Sequence, residues 1–149
     1  MREFTKDEII ARVTEAIKSC SGTLVTIDQD GCPRARALED HNPCPGFEFW
    51  YATNWKTRKV GEIRANPNVC VYYQPPSMSG YICIQGKARI RTDEEGRRHI
   101  WREEWAQYYG DPMSETYVPI QVIPERIEFY DTQIGAHADD GFGPAVVEL

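Results

Sequence analysis

The stretch "GFEFWYAT", residues 46–53, limits the fold more than any other part of the chain. Successive side chains on a strand point to opposite faces, so Phe47, Phe49 and Tyr51 share one face and Trp50 takes the other. A strand with bulk on both faces has to be covered on both, as in a barrel or beneath a helical layer. The stretch "YICIQGKARIRT", residues 81–92, reads as a long strand of another kind. There Lys87, Arg89 and Arg91 point one way and Ala88 and Ile90 the other, giving a wet face and a dry one, and Gly86 marks a bulge or a bend. The remaining strand signals are short and bounded by turns. "GTLVTID" and "PRARALED" flank a "DQDG" turn in which Gly31 can take positive φ, a hairpin pattern. "NVCVYYQ" supplies a further strand, and "VPIQVIPERIEFYD" one strand or a pair broken at Pro124.

Helical patterns are fewer. "TKDEIIARVTEAIKSC" has Thr5 and Glu8 at capping-box spacing, with Ile9, Ile10, Val13, Ala16 and Ile17 at helical intervals. Thr57 is placed as the N-cap of a two-turn helix over "RKVGEIRA", which Asn66 and Pro67 end. "DEEGRRHIWREEWAQYY" is helical in pattern, with Ile100, Trp101, Trp105 and Tyr108 along one side and Gly96 blurring its start. The tail from about residue 132 to 149, rich in Gly and Asp, reads as irregular. These elements predict a mainly β (β+α) chain: a six-stranded antiparallel Greek-key barrel with flanking helices.

Bulk properties narrow the function. With 149 residues, 41% of them apolar, the chain is long enough for one domain with a real core and short for two, so residues 1–149 are read as a single domain. A net charge of -6 argues against a role in coating nucleic acid or anionic lipid. The opening "MREFTKDEII" lacks an apolar leader core, and no window approaches a membrane span. The expectation is a soluble, cytoplasmic protein with no nucleic-acid or membrane partner. Five cysteines without a C-x-x-C pair make neither a disulfide framework nor a zinc site. Cys70 and Cys83 fall in apolar strands as small hydrophobes, and His41 with Cys44 would give only two metal ligands, so no metal is expected.

The basic stretch "ATNWKTRK", residues 52–59, stands out in an acidic chain. If Thr57 caps a helix, the amides of its first turn are unpaired and the positive end of its dipole faces the space where Thr57, Arg58 and Lys59 project. Thr53, ending the preceding strand, can reach the same space, and Arg34 and Arg36 share a face of the hairpin strand. Such a set outlines a pocket for a phosphorylated ligand. The competing reading is an ordinary solvated basic face.

The order "ATNWKTRKVGEIRANPNVCVYY" followed by "YICIQGKARI" resembles the FMN-binding split β-barrel proteins related to pyridoxamine phosphate oxidase, with the nearest likeness in the general stress protein branch. The likeness runs from about Gly22 to Arg91, with "YYGDPMSE" and "IPERIEFYD" fitting more loosely. It implies a split barrel that forms a homodimer, with FMN at the subunit interface. By position it implies that Arg36 and Leu38 lie along the flavin and its phosphate tail. Thr53 and Asn54 would contact the flavin or ribityl chain, and Thr57, Arg58 and Lys59 the phosphate. Tyr81, and Trp101 or Trp105, are candidates to complete the site from the partner chain, with core or dimer packing as the other reading.

Two departures separate this chain from true pyridoxamine phosphate oxidases. "RALED" carries acidic residues where those enzymes have a lysine, and the chain ends in "GPAVVEL" instead of a segment with Arg and His. The resemblance therefore implies an FMN-binding flavoprotein and oxidoreductase, with catalytic side chains unassigned, acting on an unidentified small molecule or a nicotinamide donor. The alternatives are a non-catalytic flavin-binding or stress protein and a deazaflavin- or haem-binding relative, the last with His137 as an axial ligand.

Overall fold

The computed structural model of the protein describes residues 4–149. Helix α1, Lys6–Ile17, begins at the expected capping box: Glu8 N donates to Thr5 Oγ1 at 3.2 Å and Thr5 N donates to Glu8 Oε2 at 2.9 Å. It buries Ile9, Val13 and Ile17 against the sheet. Strands β1, Thr23–Ile27, and β2, Pro33–Ala37, form the predicted hairpin, with Gly31 at φ 79° in its turn. Strand β3, Phe49–Asn54, leads into α2, Arg58–Ala65. Strand β4, Asn68–Tyr73, and the eleven-residue β5, Gly80–Ile90, follow.

The late helical pattern is not one helix. It divides into α3, Glu94–His99, a 3-10 turn at Glu103–Trp105 and the short α4, Ala106–Tyr109. Asp93 caps α3 by accepting from Gly96 N at 3.0 Å. The break lets Trp101, Trp105 and Tyr109 gather around buried Tyr117, with ring centroids at 5.1, 6.3 and 5.3 Å from it. A continuous helix would have spread them along one side. Buried Arg97 locks the segment down, donating to the carbonyls of Thr92, Ser114 and Tyr117 at 3.0, 2.9 and 2.6 Å.

The last segment is one strand, β6, Tyr117–Asp131, and runs straight through Pro124. Proline gives the ladder no N–H. It is tolerated because Gly86 lies opposite it, where the β5–β6 register shifts between Gln85 and Gly86 as the sequence anticipated. A Cβ at Gly86 would fall 2.2 Å from the Ile123 carbonyl oxygen, so the close approach requires glycine.

All pairings are antiparallel, in the order β2-β1-β4-β5-β6-β3. Strand β3 therefore crosses from beside β2 in sequence to the far edge, and its faces are both buried, as its side chains demand. Phe49 and Tyr51 enter the core at 0% and 1% exposure, while Trp50, at 5%, is covered by the segment carrying His99. The tail corrects the sequence reading. Ala145–Glu148 forms a seventh strand, β7, on β6, one more than the six expected, and gives regular structure to the end of the tail read as irregular. Val147 enters the core from β7, whereas Gly135, Gly141 and Gly143 at positive φ confine the irregularity to the loop before it. The architecture is a mainly antiparallel split barrel with flanking helices. Among the described residues no helix is long and apolar enough to cross a membrane.

Candidate functional site

The turn between β3 and α2 is built by Asn54. Its carbonyl accepts from Thr57 N at 3.0 Å and from Thr57 Oγ1 at 2.9 Å, and its side-chain oxygen accepts from Lys56 N at 2.9 Å. Thr57 has the extended backbone of an N-cap, yet its hydroxyl makes no cap bond to α2. It meets the hydroxyl of Thr53 at 3.2 Å instead, and Lys59 Nζ donates to Thr53 Oγ1 at 3.1 Å. Two hydroxyls and an ammonium thus converge at a helix start, the positive end of the helix dipole, where Val60 N donates to the Thr57 carbonyl at 3.1 Å and no side chain caps the turn.

Arg36 reaches the same neighbourhood from β2. It donates to Thr26 Oγ1 at 2.7 Å, to the Leu24 carbonyl at 3.2 Å and to Glu62 Oε2 at 3.3 Å. Glu62, on α2 with a side chain 9% exposed, also accepts from Thr26 at 2.5 Å and pairs with Arg34 at 3.5 Å. Arg34 in turn holds Asp28 at 3.0 Å. Arg36 and Lys59 therefore share one nearby carboxylate. Burial pulls the Lys59 ammonium below the ordinary lysine range, the Arg36 charge pulls it further, and Glu62 only partly offsets them. Cations desolvated beside one another are the electrostatic setting an anion relieves.

The sequence candidates separate in space. Thr53, Thr57 and Lys59 meet, with Arg36 beside them. Asn54 shapes the turn. Arg58 is exposed and lines a groove of about 430 Å³ with Asp28, Asp30 and Glu62, on the hairpin side of α2. Leu38 lies one residue past β2, half-buried against the core. Tyr81 stands at the other end of β6 from Thr53, since it pairs with Tyr130 and Thr53 with Val118. Its ring stacks between Tyr72 and Tyr130 at 5.7 and 5.9 Å.

Trp101 lies on the opposite face of β3 from Thr53, where it lines a pocket of about 590 Å³ with Trp50, Ala52, His99, Trp105 and Tyr109. Glu39 and His41 join its rim, 2.8 Å apart, and Trp105 Nε1 donates to Glu39 at 3.3 Å. Behind Trp50, Gln121 accepts from Arg89 at 2.7 Å and Arg91 at 2.8 Å and donates to Glu48 at 3.1 Å. Glu62 and Gln121 were missed by the sequence reading. Each is a single polar residue in an otherwise ordinary pattern, and only Glu62's place among the cations of α2 hinted at a role.

Known proteins share this arrangement of elements. A pyridoxine/pyridoxamine 5'-phosphate oxidase of Leptospira interrogans is 33% identical over 116 residues, which take in 76% of this chain and 51% of the relative. The chain thus spans about half the length of that relative. The structure of General Stress Protein 26 from Bacillus anthracis superposes with a TM-score of 0.70 at 23% identity, over 95% of this chain and 98% of that one. A pyridoxamine 5'-phosphate oxidase-related, FMN binding protein of Nostoc punctiforme has a TM-score of 0.68 at 14% identity, over 86% and 85% of the two chains. At these identities the two structures establish the fold. The family model for pyridoxamine 5'-phosphate oxidase matches residues 9–131, and the chain therefore belongs to the pyridoxamine 5'-phosphate oxidase family.

Proposed function

We propose that the protein binds FMN and acts as a flavin-dependent oxidoreductase on a small molecule or a nicotinamide donor. The observation that carries this reading is the convergence on Thr53 Oγ1 of Thr57 Oγ1 at 3.2 Å and Lys59 Nζ at 3.1 Å, at the start of α2, where Thr57 makes no side-chain cap bond. The donor set fits a phosphate monoester: hydroxyls and helix amides donate, while Lys59 and Arg36 balance its charge. Family membership and the FMN-binding fold neighbour support flavin as the bearer of that phosphate.

Under this reading Thr53, Thr57, Lys59 and Arg36 hold the phosphate, Arg58 adds positive charge at the entrance, and Asn54 and Leu38 set the backbone along which the ribityl chain and ring lie. Tyr81 and Trp101 offer flat aromatic surfaces to the cofactor held by a second copy of the chain, in a homodimer with FMN at its interface. When bound, the flavin supplies two-electron chemistry through hydride transfer. The protein's part is to fix the phosphate, orient the ring and exclude water. The test is the visible spectrum of the purified protein before and after FMN loading and desalting, followed by anaerobic NADH or NADPH. The expected result is a retained oxidised-flavin spectrum that bleaches with the donor. A protein that retains FMN but is not reduced by either nucleotide would contradict the nicotinamide donor and leave the small-molecule substrate as the remaining reading, and one that retains none would contradict flavin binding.

A further inference from the structure

Cys70 on β4 and Cys83 on β5 have their sulfurs 3.0 Å apart. The strands pair Tyr72 with Cys83 and Cys70 with Gln85, so the two thiols meet diagonally across the ladder on its outer face. Both are half-buried. A cavity of about 390 Å³, lined by Val25, Asn68, Val69 and Gln85, opens beside Cys70, whose sulfur is 3.0 Å from that of Cys83. The other three cysteines lie elsewhere: Cys20 after α1, Cys32 in the hairpin turn and Cys44 in the loop before β3.

We propose that Cys70 and Cys83 are a thiol redox site that closes to a reversible disulfide on reaction with hydrogen peroxide. Cys83 is the attacking sulfur. With Cys70 as donor in the bond the two sulfurs share, the Cys83 thiol lies below the ordinary range against the opposing effect of burial, and nearby Arg126 helps while Glu128 opposes. Cys70, which gives that bond, is pushed the other way. By contrast, burial raises the thiols of Cys20 and Cys44. Peroxide reacts with the thiolate, the nucleophilic form of cysteine.

In the first step the Cys83 thiolate forms an S–O bond as the O–O bond breaks. Hydroxide leaves and takes a proton as water, and Cys83 becomes a sulfenic acid. In the second step the Cys70 sulfur attacks Cys83, the S–S bond forms and the S–O bond breaks. A second water leaves with the Cys70 proton. Two thiols give up two electrons and two protons, and one peroxide becomes two waters. The sulfurs need to close by about 1 Å to reach bonding distance.

The test treats the full-length protein with hydrogen peroxide, blocks the remaining thiols and maps the product by peptide mass spectrometry. The expected product is an intramolecular Cys70–Cys83 peptide, two hydrogens lighter than the thiol form, which dithiothreitol reverses. In Cys70→Ser, where no resolving thiol is present, dimedone should trap the sulfenic acid on Cys83. In Cys83→Ser, adduct formation on Cys70 should be slower by about tenfold or more, as its lower thiolate fraction requires. An intermolecular bridge, another cysteine pairing, or oxidation of exposed Cys32 ahead of the pair would overturn the proposal. Because the decisive map is made on the wild-type chain, a variant that fails to fold does not blur the result.

Discussion

Lys59 and Arg58 are neighbours in sequence with the same charge, yet the helix start sends them to different places. Lys59 turns in toward Thr53, while Arg58 lies over the groove with Asp28 and Asp30. A charge-assisted hydrogen bond to phosphate is worth about 1.5–3 kcal/mol. Lys59→Ala should therefore weaken FMN binding by roughly tenfold to a hundredfold and Arg58→Ala by much less, measured by fluorescence titration. The pH dependence follows from the same residue. Its folded-state pKa lies below that of the unfolded chain, so over the interval between them the unfolded state binds more protons. Burial of the Lys59 charge costs stability at neutral pH, and that cost is relieved as pH rises through the folded pKa. Phosphate affinity should fall over the same interval as the ammonium is lost. The types and spacing of Thr53, Thr57 and Lys59 were readable from the sequence, because they are local to one turn. That Arg36 would be held by Glu62 was not, because the ion pair joins an edge strand to a helix and leaves no periodic trace in either.

At the scale of elements, the capping box of α1, the hairpin around Gly31, the start and stop of α2 and the bulge at Gly86 were legible because each is set by local backbone chemistry. The late helix was misread for a related reason. Its aromatic spacing satisfies a helical period, but Trp101 and Trp105 pack around Tyr117, and that demand breaks the helix after His99. Strand β7 was missed because four residues after a Gly-rich loop carry too little pattern, and its place is fixed by β6. The Gly86–Pro124 crossing gives a direct test of how β5 and β6 fit. Gly86→Ala puts a methyl against the Ile123 carbonyl. It should destabilise the protein by about 1–3 kcal/mol, the usual cost of overpacking, read as a lower urea midpoint with the slope unchanged.

For the whole molecule, the pairing of β3 with β6 is what gives the site its two sides. It joins segments far apart in sequence, places Thr53 and Tyr51 on the inner face, and sets Trp50 and Ala52 under the aromatic pocket. Individual strands could be found from alternation and turns, but which edge β3 would join depends on how the sheet closes, and no local pattern records that. The result is a barrel whose phosphate-sized donor cluster and aromatic pocket lie on opposite faces of one strand. Whether that cluster recognises a phosphate carried by a flavin is tested most directly by a parallel calorimetric titration of the wild-type protein with FMN and with riboflavin, which has the same ring and ribityl chain and lacks the phosphate. Two or more charge-assisted bonds predict that FMN binds at least about a hundredfold more tightly. Equal affinities for the two would contradict the assignment of Thr53, Thr57 and Lys59 as a phosphate site.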